Sequence, residues 1–387
     1  MSHSIAYANS LQERFHKRIN IIEKLMGDKK YDDALQRLNK LLASYKNRNY
    51  EASLIYQLYG YVYSQKGETG NAINAFNKCL SLQTLPKPAL QNIRLNIGQL
   101  YLDKKQFVKA EHSFITWRDN GEPLVAEGYV LGGIIFAQQK KYSAAEQAVQ
   151  QAIRNSKSPR EDWFKLLLSI YIESKKYSKA KSLLLKMIER YPDNKAYWMR
   201  LADVAYLLAD HALASSVLAI AEKNDMLSTG AEYRKLAGFY YHSGVPYKSA
   251  TTLETAFRKK LLTENEELLK QQAYYFLQAK AYDKAVRSLE RAVSISSSQD
   301  ELFYEIANIH AAQNKWKIAD KYLIKLKNSN NPALREKVTL LLGQSYFEQK
   351  KFQEALKMFS QAVSAQNSSQ EARRWLDYTR QMAGLTD

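Results

Sequence analysis

Small apolar residues return along this chain at a nearly fixed step. Lining up one of them gives Ala34, Ala72, Ala110, Ala145, Ala180, Ser215, Ala250, Ala285, Ala319 and Ala355, with 34 to 38 residues between neighbours. Three residues before each stands an aromatic: Tyr31, Phe107, Tyr142, Tyr177, Tyr247, Tyr282, Trp316 and Phe352, with Thr69 and Ala212 as exceptions. Nine before it a large side chain recurs: Tyr63, Tyr101, Phe136, Tyr171, Tyr206, Tyr241, Phe276 and Tyr346, with Leu25 and His310 in the outer slots. Twelve before it the residue is often small: Gly60, Gly98, Gly133, Gly238, Ala273, Ala307 and Gly343. A step of this size predicts repeated hairpins of two helices, neither of which can bury its apolar stripe alone, so that successive hairpins stack. The small residue of the first helix and the alanine of the second let the two approach, and the aromatic plugs the gap between units. Breaks are expected at Pro86 and Pro88, Gly121 to Pro123, Pro159, Pro192, Gly230, Ser296 to Ser298 and Pro332. In the seventh unit Gly244 can end one helix and Pro246 can open the next.

The pattern predicts an all-α chain in three parts: an N-terminal extension over 1–10, an array of about ten repeats over 11–366, and a capping helix and tail over 367–387. Ser369 to Met382 reads as one amphipathic helix carrying Trp375 and Leu376, suited to close the open end of an array. The first and sixth units are degenerate, with Ile22 and Asp203 in the small slot and Ser215 in the alanine slot. A small residue, a tyrosine three on and an alanine nine further on resemble the tetratricopeptide-repeat family over about Arg18 to Val363. That resemblance implies a right-handed superhelical solenoid.

Composition narrows the function classes. A single compact core is uncommon at 387 residues, and an array resolves the difficulty. The 14 glycines and 7 prolines suit long helices with brief breaks. The net charge of +18 favours acidic partners, whether nucleic acid, anionic lipid or acidic protein segments, unless it is a solvated lysine-rich surface. The single cysteine, Cys79, excludes an internal disulfide and a cysteine-based zinc cluster, and its position beside the alanine repeat makes it a buried small apolar group. No apolar run is long enough to span a membrane. Met1 to Leu11 lack the apolar stretch of a secretory signal, although Ala6-Tyr7-Ala8 has the small-x-small look of a cleavage site, so a chain that had lost its leader would read the same way.

No reaction chemistry is legible. The six histidines, His3, His16, His112, His211, His242 and His310, are scattered without metal-ligand spacing, and His310 occupies an interior slot. Gly67-Glu68-Thr69-Gly70 lacks the Lys-Ser/Thr of a phosphate loop, and no Gly-x-Ser-x-Gly elbow occurs. The expectation is therefore a protein with no catalytic residue, no cofactor, no metal and no small-molecule substrate. Lysines concentrate at Lys317, Lys321 and Lys325, and at Lys175, Lys176, Lys179, Lys181 and Lys186, but on second helices and without interleaved base-stacking aromatics, which argues against nucleic acid.

In the family this chain resembles, the first helices line a groove. The resemblance implies that the groove residues lie three before, one after and four after the small slot. Here these positions are rich in apolar and aromatic residues, among them Tyr61, Ile134, Val204, Phe239, Tyr274 and Tyr304, which suits a protein or peptide partner. Within this set Lys165, Arg200, Lys235 and Lys270 recur 35 residues apart as a cationic ladder able to grip a carboxylate. Asp162, Glu232 and Glu267 stand three residues before Lys165, Lys235 and Lys270, so local ion pairs would neutralise those rungs and leave Arg200. The slots one turn on hold Ser169, Val204, Phe239 and Tyr274, unlike the asparagines of the carboxylate-clamp subfamily that binds chaperone tails.

Several further stretches are more particular: Pro159 to Trp163 with Leu166 to Leu168, Tyr191-Pro192 with Tyr197-Trp198, Gly244 to Ala250, and Ala372 to Leu376. In this order they resemble the tetratricopeptide proteins encoded beside TonB-type energy-transduction operons in Gram-negative bacteria. The resemblance implies a periplasmic accessory that helps a TonB system and its motor partners drive uptake through outer-membrane receptors. The alternatives are a cytoplasmic co-chaperone that binds acidic tails and a basic nucleic-acid-binding or assembly factor.

Overall fold

The computed structural model describes residues 2–120, 125–364 and 369–385. Among these residues the chain forms 21 α-helices and no strand. It divides into two compact units, residues 1–187 and 188–387, with the division inside the tenth helix. The first unit contains α1 (Ser2–Gly27), α2 (Tyr31–Tyr45), α3 (Asn49–Gln65), α4 (Thr69–Leu82), α5 (Lys87–Asp103), α6 (Phe107–Asp119), α7 (Ala126–Gln138), α8 (Tyr142–Asn155), α9 (Glu161–Glu173) and most of α10 (Tyr177–Arg190). The second contains α11 (Lys195–Leu207), α12 (His211–Lys223), α13 (Gly230–His242), α14 (Pro246–Arg258), α15 (Glu266–Gln278), α16 (Tyr282–Ile295), α17 (Asp300–Ala312), α18 (Trp316–Lys325), α19 (Pro332–Glu348), α20 (Phe352–Val363) and α21 (Ser369–Met382). Odd and even helices alternate as ten hairpins, and α21 follows. The expected breaks fall in loops or at helix starts, except that at Gly121 to Pro123, which lies outside the described residues. No helix is long and apolar enough to cross a membrane among the described residues.

One turn closes all ten hairpins. A residue with left-handed backbone ends each odd helix: Lys29, Gly67, Lys105, Lys140 and Lys175 in the first unit, and Ala209, Gly244, Lys280, Asn314 and Lys350 in the second. The next amide reaches back to a carbonyl five residues earlier, as in Lys30 to Leu25 at 2.8 Å and Lys351 to Tyr346 at 2.8 Å, which satisfies an orphan carbonyl of the helix end. Glycine adopts this conformation without a Cβ penalty, yet it stands at only two of the ten positions.

The turn fixes the register of each repeat, and it corrects two units. The buried small residue follows the left-handed one by five positions in every hairpin. In the sixth unit that residue is Ala214, not Ser215, and in the seventh it is Ser249, not Ala250. Both members of each pair are small and buried, so their identities did not distinguish the registers. With Ala214 in place, His211 takes the aromatic slot at the start of α12, and Ala202 and Ala237 take the small slots assigned to Asp203 and Gly238. The nine alanines that occupy this slot, Ala214 among them, have no exposed surface.

The small slots are small for a measurable reason. A Cβ on Gly60 would lie 2.3 Å from the Phe76 ring, on Gly133 2.4 Å from Val149 Cγ2, and on Gly343 2.5 Å from Phe359 Cε1. Each of these partners sits one turn past the buried alanine of its own hairpin. Around Gly238 nothing lies within 4 Å, in keeping with its place one residue off the slot. Cys79 is fully buried, and burial pushes its thiol up to about 11. His310 is buried and stacks on Tyr322 with ring centroids 6.0 Å apart. At the C-terminus α21 packs on α20: Trp375 stacks on Phe359 at 5.8 Å and meets Phe347 edge-on at 5.5 Å.

Candidate partner-binding face

The candidate residues divide between the two units. Tyr61, Ile134 and Lys165 belong to the first; Arg200, Val204, Lys235, Phe239, Lys270, Tyr274 and Tyr304 belong to the second. In the first unit Tyr61 is half-buried, packs edge-on against Phe76 at 5.3 Å, and borders a cavity of about 380 Å³ with Ile19, Met26 and Leu54. Ile134 is half-buried on α7. Lys165 is exposed and pairs with Glu161 at 2.9 Å.

In the second unit the register shift moves several candidates. A one-residue slip turns a side chain by about 100° around the helix. Val204 and Phe239 therefore lie two residues past their small slots, where Val62, Ile135 and Ile170 also sit, and they are buried in the core at 2% and 7% exposure. This corrects the expectation that they face the groove. The residues brought outward in their place are Tyr206 and Tyr241, which the shifted register had assigned to the interior. Tyr206 is exposed and stacks on Phe239 at 5.1 Å; its other neighbours are His211 at 5.1 Å and His242 at 5.3 Å. The Tyr241 and Tyr274 hydroxyls share a 2.8 Å hydrogen bond, which raises the Tyr241 phenol above its usual range. Tyr274 itself is 46% exposed. Odd helices α11, α13 and α15 thus present Tyr206, Tyr241 and Tyr274 along one side. Tyr304 is half-buried against the packing of α17 to α19.

Three of the four cationic rungs are neutralised: Lys165 by Glu161 on its own helix, and Lys235 and Lys270 by carboxylates of neighbouring odd helices. Lys235 donates to Asp203 at 2.8 Å on the preceding odd helix, and Lys270 pairs with Glu305 at 3.5 Å on the following one. The three acids expected to pair locally act elsewhere. Asp162 takes Arg160, and Glu267 pairs with Arg234 at 3.7 Å. Glu232 closes a capping box with Thr229 and holds Lys195 at 2.7 Å. Burial alone would raise the Glu232 carboxyl, but Lys195 and the Ser228 and Thr229 amides outweigh it and hold it below the usual range. In the second unit, ion pairs therefore join odd helices one repeat apart at spacings of 32 to 37, which helical periodicity does not reveal. Arg200 is exposed, and among the described residues it has no ion pair or hydrogen bond. It shares a stripe of α11 with Asp203 and with Leu207, which is 56% exposed.

Several lysines of the even helices are also engaged. A lysine one residue before the buried small residue lies over the ring nine before it in four hairpins: Lys109 over Tyr101 at 5.7 Å, Lys179 over Tyr171 at 5.8 Å, Lys248 over Tyr240 at 5.3 Å and Lys284 over Phe276 at 5.6 Å. Lys176 and Lys179 both hold Glu146, at 2.7 and 2.6 Å. Among the described residues no group of three or more His, Cys, Asp or Glu is placed to hold a metal.

Three segments match tetratricopeptide-repeat family models, at residues 54–84, 167–227 and 338–365. Among solved structures the chain is similar to a tetratricopeptide repeat protein from Parabacteroides merdae, at 15% identity and TM-score 0.41, covering 77% of this chain and 99% of that one. The C-terminal part of a TPR repeat-containing protein from Cytophaga hutchinsonii is similar at 18% identity and TM-score 0.42, covering 73% and 97%. YrrB, described as a TPR protein with an unusual peptide-binding site, is similar at 17% identity and TM-score 0.36, covering 49% and 96%. No curated protein matches the chain.

Proposed function

We propose that this chain of tetratricopeptide repeats is a non-enzymatic scaffold, and that it holds an acidic segment of a partner protein on the odd-helix face of its second unit. The observation that carries the proposal is the exposed, unpaired Arg200 on the helix that also presents Tyr206, with Tyr241 and Tyr274 on the next two odd helices. Tyrosines give large contact area at low entropic cost, and an unpaired guanidinium gives a charge-assisted grip on a carboxylate.

The finer reading is that the partner belongs to a TonB-type energy-transduction system and that the protein works in the periplasm as an accessory of outer-membrane uptake. The stretches around Pro159, Tyr191, Gly244 and Trp375 support that reading. Affinity purification from envelope extracts, with the full chain and with Arg200→Glu as baits, tests it. The native chain should recover TonB-system components and the variant should lose them. Recovery of cytosolic proteins alone would overturn the TonB assignment and the periplasmic location.

A further inference from the structure

A second surface stands apart from this face. A furrow of about 490 Å³ lies between α8 and α10 in the first unit, floored by α9. Its lining includes the buried or half-buried Ile153, Phe164, Leu167 and Leu183 and the exposed cations Arg154 and Lys186. Its size is that of a ligand site.

The second unit contains the same furrow at another repeat. There α14, α15 and α16 enclose about 290 Å³. Residue for residue, Phe276 matches Tyr171, Lys284 matches Lys179, Arg291 matches Lys186 and Glu254 matches Gln150, each counted from the buried small residue of its hairpin. In that second furrow the cation is satisfied from within: Arg291 bonds Glu254 at 2.9 Å and also Glu264. In the first furrow Gln150 replaces the carboxylate and donates instead to the Tyr171 hydroxyl at 2.9 Å and to Glu146 at 3.2 Å. Glu146 is itself taken by Lys176 and Lys179. Arg154 bonds only the Gln151 amide, at 2.8 Å, and Lys186 has no hydrogen bond or ion pair among the described residues. Two cations without carboxylates therefore flank an apolar floor.

We propose that this furrow is a second docking site, which takes an acidic, leucine-bearing helical segment of a partner protein. An apolar side chain enters over Phe164 and Leu167, and a carboxylate from the same segment bridges Arg154 and Lys186, in the role Glu254 plays for Arg291. A helix laid between α8 and α10 continues the packing of ridges into grooves that builds the units themselves. This site does not depend on the Arg200 face.

The test is fluorescence anisotropy of a labelled synthetic peptide with Leu and Glu at helical spacing, titrated with the full chain. Gln150→Glu restores the internal carboxylate of the second furrow and should weaken binding about tenfold, a change of about 1.4 kcal/mol. Arg154→Glu combined with Lys186→Glu should abolish it, and circular dichroism should show both variants folded. Lys317→Glu, on α18 and outside both faces, should leave it unchanged. A peptide with its Leu replaced by Ser, or its Glu by Lys, should not bind. Equal binding of the Ser peptide would mean that charge alone acts, and would overturn the proposal. So would an unchanged affinity in both furrow variants. Loss on Arg200→Glu alone would move the peptide to the other face and would leave the function proposed above intact.

Discussion

Lys235 sets its Nζ 2.8 Å from Oδ1 of Asp203, across the gap between two successive odd helices. The pair uses the carboxylate that shares a stripe with Arg200, and so leaves Arg200 as a rung without an anion of its own. Both partners are substantially solvent-exposed, so the bridge contributes about 0–1 kcal/mol to stability. Binding should separate the two cations. Arg200→Ala removes a charge-assisted contact and should weaken an acidic partner about tenfold or more, whereas Lys235→Ala should change affinity less than threefold. Asp203→Ala frees Lys235 and should strengthen binding. Calorimetric titration of each variant with the recovered partner checks the order, and equal losses for Arg200→Ala and Lys235→Ala would contradict it.

Two glycines of the small-slot pattern, Gly60 and Gly238, should behave in opposite ways. Gly60→Ala drives a methyl to within 2.3 Å of the Phe76 ring and should cost about 1–3 kcal/mol through overpacking. Gly238→Ala meets nothing within 4 Å and gains helix propensity, so it should be neutral or stabilise by up to about 1 kcal/mol. Urea midpoints of the two variants decide the register of the seventh repeat.

Burial holds the His310 imidazole below its usual range, and Lys315 pushes it the same way. An unfolded histidine takes up a proton near pH 6.5 while the folded one stays neutral. Between that pH and the lower folded value the unfolded state therefore binds more protons, and stability falls as the pH falls. Urea midpoints from pH 7 down to about pH 5 should drop more steeply for the native chain than for His310→Phe. Parallel curves would show that His310 takes no part.

Cys79 offers a clean probe of packing because it is the only thiol. Buried and raised to about 11, it should resist a thiol reagent at pH 8 in the native protein and react at once in denaturant. Rapid native labelling would show that the second hairpin opens.

The hairpins were legible because packing repeats: one position must be alanine-sized wherever two helices touch, and ten such contacts write a period into the chain. The capping helix at Ser369 to Met382 was legible for a related reason, since an amphipathic stripe with Trp375 needs a face to cover. The register of the sixth and seventh repeats was not. Ala214 beside Ser215, and Ser249 beside Ala250, are interchangeable by size, and the residues that decide between them are turn residues whose left-handed backbone leaves little trace when the side chain is lysine or alanine. That slip placed Val204 and Phe239 on the face and hid Tyr206 and Tyr241. The ion pairs were out of reach for a different reason: Lys235 with Asp203 and Lys270 with Glu305 join separate helices.

The odd-helix face of the second unit is proposed to hold a protein. Site-specific photocrosslinking in the native cell tests it most directly, with the photoreactive residue placed singly at Tyr206, Leu207 and Tyr274, and at Lys317 and Lys321 on α18 as controls. Protein adducts should form at the first three positions and be lost when Arg200→Glu is added, with few at the last two. Adducts confined to Lys317 and Lys321, or to nucleic acid, would contradict it.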